Sequence, residues 1–147
     1  MQLRALKSCE YHALFMLMTK EKSPHTPKHF HEAEAFFEGC ICYGKFSGKR
    51  QLEAAFILGD VTNENAFLDV VCRQDKRGKW ASKKTLKWLM RLIFNDMSLD
   101  YIWVNPRREE SLRMATKFGF QYVYGLDDIS PVTMVLSRHN VSTRYLN

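Results

Sequence analysis

Residues 66–94 read AFLDVVCRQDKRGKWASKKTLKWLMRLIF. The first seven, 66–72, are apolar at both parities apart from Asp69, the pattern of a strand covered on both faces at the centre of a sheet. From Ser82 to about Asn95, Leu86, Leu89, Met90, Ile93 and Phe94 recur at helical spacing, with Lys83, Lys87 and Arg91 on the opposite face. Between strand and helix lies a basic turn, residues 73–82, with one glycine, Gly78. A helix start presents unsatisfied N–H groups and the positive end of the helix dipole, so a turn placed there suits an anion such as phosphate. Trp80 stands where such a turn favours glycine, so its indole has either to cover the ligand or to fill its site.

The charge distribution supports an anion-facing segment. Residues 73–91 hold eight cations (Arg73, Lys76, Arg77, Lys79, Lys83, Lys84, Lys87, Arg91) against Asp75 alone, which exceeds the net charge of +6 for all 147 residues. Phosphorylated cofactors, nucleic acid and acidic proteins are the partners such a field attracts. A basic helix alone also fits nucleic acid, but no nucleic-acid recognition motif accompanies it.

The length suits one domain spanning 1–147, and the hydrophobic fraction of 46% excludes a disordered chain. The apolar patch at Ala13–Met18 is too short to span a membrane, so a soluble, unexported protein is expected. Cys9, Cys40, Cys42 and Cys72 form no disulfide framework and point to reduced thiols in a cytoplasm. The His and Cys pairs have no zinc-site spacing, and no metal is expected.

Outward from the central stretch, QLRALK reads as a strand and 9–22 as a helix with Leu14, Leu17 and Met18 on one stripe. A second helix follows, with Thr26 as its cap, Pro27 at its first position and Gly39 as its stop. CICYGKF and QLEAAFILGDV read as strands joined by a tight turn at Ser47–Gly48. After the central unit, LDYIWVN is a strand, Asn105 and Pro106 open a helix that ends at Gly119, and QYVYGL and VTMVLSR form a closing hairpin. The order β α α β β β α β α β β predicts a mixed α/β (α+β) fold, a mostly antiparallel central sheet with helices on both faces.

This order, the strand LDVVC, the turn RGKWAS and the helix end SLRMATKFGF together resemble the GCN5-related N-acetyltransferase (GNAT) superfamily over nearly the whole chain. The family's turn has the form R/Q-x-x-G-x-G/A; Arg77, Gly78 and Lys79 match, Trp80 replaces the first motif glycine, and Ser82 replaces the last residue. The resemblance implies an acyl-CoA N-acyltransferase fold and acetyl-coenzyme A as cosubstrate. It implies a cofactor site at Val71, Cys72, Arg73, Arg77, Gly78, Lys79, Trp80, Ala81 and Ser82, with Asn105 beyond the next strand. It implies direct acyl transfer to the amine of a small molecule or protein. Many members use a tyrosine on the last helix to protonate the leaving thiolate. Ala115 stands there, and Tyr122 and Tyr124 on the next strand are candidate substitutes.

The incoming amine has to lose a proton, and Asp69, the sole acid in the central strand, is the first candidate base, ahead of Glu64 and Glu53. A backbone N–H near Val71 or Cys72 would receive the oxyanion. Asp69 could equally serve as a structural ion-pair partner, and Cys72 as a small buried hydrophobe. The alternative function is a catalytically silent protein of the same fold that binds or builds, such as a bacteriophage accessory or virion protein, located in the host cytoplasm.

Overall fold

The computed structural model describes residues 2–123 and 132–147. Among the described residues seven strands, β1 (Gln2–Ala5), β2 (Ile41–Phe46), β3 (Leu52–Gly59), β4 (Asn65–Cys72), β5 (Tyr101–Val104), β6 (Gln121–Val123) and β7 (Thr133–Ser137), and the α-helices α1 (Tyr11–Lys20), α2 (Phe30–Glu38), α3 (Lys83–Met90) and α4 (Glu109–Phe118) follow in the order β1-α1-α2-β2-β3-β4-α3-β5-α4-β6-β7. The strand order is β1-β2-β3-β4-β5-β7-β6, so β4 is the middle strand. The described pairings are antiparallel except β4 with β5. This is the mixed, mostly antiparallel sheet expected from the sequence.

Contacts divide the chain into two compact units, Met1–Gly59 with Asp69–Ser82, and Asp60–Leu68 with Lys83–Asn147. In the first, Cys42 pairs with Ile57, Tyr43 with Phe56 and Lys45 with Ala54. Residues paired across a ladder share a face. One face, with Cys42, Ala55, Ile57 and Val71, packs against Leu14, Leu17 and Met18 of α1 and Ala33 and Phe37 of α2. Lys45 and Phe56 lie on the other face. The connection from β2 to β3 is longer than a two-residue turn: Ser47 N–H bonds Gln51 O at 2.9 Å, and Arg50 takes the positive φ of 59°.

In the second unit the parallel pairing joins Asn65–Phe67 to Tyr101–Trp103, and β4 runs on to Cys72. The helix that begins at Lys83 continues past Met90 as a π-helical turn, Arg91–Asp96, closed by Met97 N–H to Leu92 O at 2.9 Å. Leu89, Met90, Ile93 and Phe94 are buried as their spacing predicts. The end of α4 is fixed by Gly119 at φ 116°, with Gly119 N–H and Phe120 N–H both donating to Ala115 O.

Two helix starts differ from the sequence reading. The second helix opens after His29, and Thr26 Oγ instead donates to Ser23 O at 2.6 Å. The last opens after Arg108, and Asn105 Oδ1 accepts from Thr133 Oγ at 3.0 Å. In both, a side chain that can cap a helix is held by a different bond, and the X-Pro segment continues as loop.

Candidate functional site

The turn at residues 73–82 lies in the first unit and begins by extending the sheet, with Arg73 N–H bonded to Glu53 O at 2.9 Å. A single 3-10 turn follows over Gln74–Lys76. Gly78 then takes φ 79°, and a Cβ there would meet nothing within 4 Å, so the backbone is open to approach from outside. The N–H groups of Lys79 and Trp80 both turn back to Lys76 O, at 2.9 and 3.2 Å. Among the described residues, no backbone carbonyl accepts from Gly78 or Ala81.

Trp80 is held at two points. Its half-buried indole packs against Phe56 with ring centroids 5.6 Å apart, and its carbonyl accepts a hydrogen bond of 3.2 Å from Lys45 Nζ. The indole that sequence alone left undecided therefore lies on the sheet face that carries Phe56. Lys45 is only 3% exposed. No sequence signal singled it out: a lysine in CICYGKF reads as the polar side of an alternating strand.

Three of the cations in the turn are already engaged. Arg73 reaches Asp75 at 3.0 Å, Lys76 reaches Glu53 at 3.7 Å, and Arg77 reaches Glu21 at 3.1 Å. Glu21, one residue past α1, has a side chain only 8% exposed, so Arg77 joins the end of that helix to the turn. Among the described residues no carboxylate pairs with Lys79, nor, in the second unit, with Lys83, Lys84, Lys87 or Arg91. Lys84 and Lys87 of α3 and Arg91 of the π-helical turn border Trp88 in a shallow groove of about 410 Å³.

The candidate catalytic residues have varied surroundings. Asp69 is half-buried on β4. Val71 belongs to the core beneath α1 and α2, which leaves its backbone as its chemical contribution. Burial, then the nearby Glu21 carboxylate, pushes the Cys72 thiol up to about 11, and burial followed by Cys40 pushes Cys42 up to about 12. Both thiols stay protonated near neutral pH and are poor nucleophiles. Tyr122 lies on β6, 44% exposed; Tyr124 falls outside the described residues. Ala115 is buried and carries no group that could donate a proton. No His, Cys, Asp or Glu cluster that could hold a metal occurs among the described residues.

A point-mutant form of the spermidine N-acetyltransferase of Vibrio cholerae superposes with TM-score 0.79 at 14% identity, covering 100% of this chain and 98% of that one. The fold is that of the GNAT N-acetyltransferases. A chimera of the same Vibrio cholerae enzyme with hSSAT gives TM-score 0.78 at 14% identity, with 100% of both chains covered. A dodecameric structure of the Vibrio cholerae enzyme gives 0.74 at 14%, covering 99% of this chain and 96% of that one. No protein-family model matches the chain, and no curated protein matches it in sequence. The basic turn lies between β4 and α3 in the chain, and no described helix is long and apolar enough to cross a membrane.

Proposed function

We propose that this chain is an acetyl-coenzyme-A-dependent N-acetyltransferase acting on an amine, built as one GNAT domain over residues 1–147. The observation that carries the proposal is the basic turn after the middle strand of a GNAT-type sheet, open at Gly78 and with backbone N–H groups at Gly78 and Ala81 directed to no backbone acceptor. Those donors, with the uncommitted Lys79 charge, suit a pyrophosphate. Arg73, Arg77, Trp80 and Ser82 shape the turn, and Asn105, in the second unit, is the remaining cofactor residue that the resemblance implies. Thiols in no disulfide at Cys9, Cys40, Cys42 and Cys72 suit a reducing cytosol.

In this reading Asp69, directly or through water, takes a proton from the acceptor amine. The amine nitrogen attacks the thioester carbonyl carbon, and the backbone N–H of Val71 or Cys72 stabilises the oxyanion. The C–S bond then breaks and the thiolate takes a proton from Tyr122, Tyr124 or water. Spermidine, the substrate named for the structural neighbours, is the first amine to try.

A second reading, a silent protein of the same fold, is favoured by one observation: the pairs Arg77–Glu21 and Lys76–Glu53 commit two turn cations internally. One titration separates the two. Calorimetry with acetyl-coenzyme A, followed by acetyl transfer to a panel of polyamines and aminoacyl compounds, is expected to show salt-sensitive binding and turnover of at least one amine. Absence of binding at millimolar cosubstrate refutes the enzyme reading and leaves the silent one.

A further inference from the structure

We propose that Lys45 is a positioning residue that orients the 80–81 peptide of the turn so that Ala81 N–H faces outward to a bound anion. Lys45 leaves β2 on the face it shares with Phe56, is 3% exposed, and donates from Nζ to Trp80 O at 3.2 Å. A buried lysine Nζ needs hydrogen-bond acceptors to offset its lost hydration, and Trp80 O supplies one. None of the described peptide bonds is cis, and in a trans peptide the carbonyl and the following N–H point in opposite directions. Drawing Trp80 O toward Lys45 therefore turns Ala81 N–H away from that sheet face.

The indole reinforces this orientation, because it packs on Phe56, which lies on the same face as Lys45. Lys79 and Trp80 spend their amides on Lys76 O, whereas Gly78 and Ala81, like Gln74 and Asp75 at the start of the 3-10 turn, have no backbone acceptor among the described residues. Lys45 thus governs one of the turn's outward backbone donors, the one nearest the start of α3, without touching the ligand itself. A glycine at position 80 could set the same peptide through its own backbone freedom. Trp80 lacks that freedom, and Lys45 supplies the constraint from β2.

The proposal rests on the coenzyme A reading only for the identity of the anion, and its test has one arm that needs no ligand. In ligand-free protein, amide hydrogen exchange at Lys79 and Trp80, whose N–H groups bond Lys76 O, should quicken at least tenfold in Lys45→Met while the β2 and β3 core keeps its protection. Lys45→Arg, which retains a donor, should restore most of the protection. In the second arm coenzyme A should bind Lys45→Met about tenfold more weakly than wild type, as expected for one charge-assisted hydrogen bond. Faster exchange with no coenzyme A binding by the wild type supports the positioning role and refutes the cofactor reading. Unchanged exchange overturns the role, and weaker binding with unchanged exchange assigns Lys45 to direct ligand contact instead. Should Lys45→Met fail to fold, wild-type heteronuclear NMR decides: a slowly exchanging Lys45 ammonium signal supports the proposal, and a fast-exchanging one overturns it.

Discussion

Replacing Arg77 by alanine separates the two roles a cation in this turn can have. Arg77 Nη2 lies 3.1 Å from Glu21 Oε1, with side-chain exposures of 38% and 8%. Removing the guanidinium strands a nearly buried carboxylate, and losing a hydrogen bond to a charged group costs about 1.5–3 kcal/mol. Solvent around the half-exposed arginine screens part of that, which brings the expected loss to about 1–2 kcal/mol. For a domain of this size that is a fall in Tm of roughly 2–8 °C. Glu21→Gln removes the stranded charge, so in that background Arg77→Ala should cost less than about 0.5 kcal/mol, a coupling of about 1 kcal/mol across the cycle. Urea unfolding of the four proteins measures it. Because Arg77 is already committed to Glu21, Arg77→Ala should weaken coenzyme A binding only about threefold. Lys79→Ala removes an uncommitted cation and should weaken it more, with a flatter salt dependence. A loss of about thirtyfold or more in Arg77→Ala without loss of stability would refute the reasoning and make Arg77 a direct phosphate ligand.

Trp80→Gly removes the packing on Phe56, so it should destabilise the chain by about 1–3 kcal/mol and weaken coenzyme A binding; tighter binding in a calorimetric titration would mean that the indole obstructs the site. Gly119→Ala puts a Cβ 2.8 Å from Asn140 O at φ 116°, and a loss of about 2 kcal/mol or more, roughly 4–8 °C in Tm, is expected in a thermal melt. The Arg4 guanidinium, hydrogen-bonded to Glu10 at 2.6 and 2.7 Å, holds the Glu10 carboxyl below its ordinary value. A depressed carboxylate contributes stability above its unfolded pKa and loses it as pH falls through the folded one, so Glu10→Gln should flatten the stability profile below about pH 4.3 and lower the plateau above it. Equal slopes for both proteins in acid would show that this pair contributes nothing to acid unfolding.

The fold was legible because each of its long elements repeats its message. AFLDVVC is apolar at both parities, and Leu89, Met90, Ile93 and Phe94 are buried where helical spacing puts them. Single-residue signals did worse. Thr26 and Asn105 have the chemistry of caps, yet one bonds Ser23 and the other Thr133, because a short polar side chain takes whichever partner tertiary structure brings near. The turn was legible as a basic segment, but how its charge is used was not, since Glu21 and Glu53 are distant in sequence from the cations they engage. Lys45 was invisible for the same reason: strand alternation gives its parity but not the carbonyl that waits 35 residues further along the chain. The glycine missing at position 80 and the buried lysine at position 45 are then two sides of one arrangement. A turn that loses the backbone freedom of glycine needs an external hold on its peptide planes, and Lys45 and Phe56 provide it from the sheet. The backbone N–H that this hold turns outward, at Ala81, is what separates a hold that serves a ligand from one that serves only the fold.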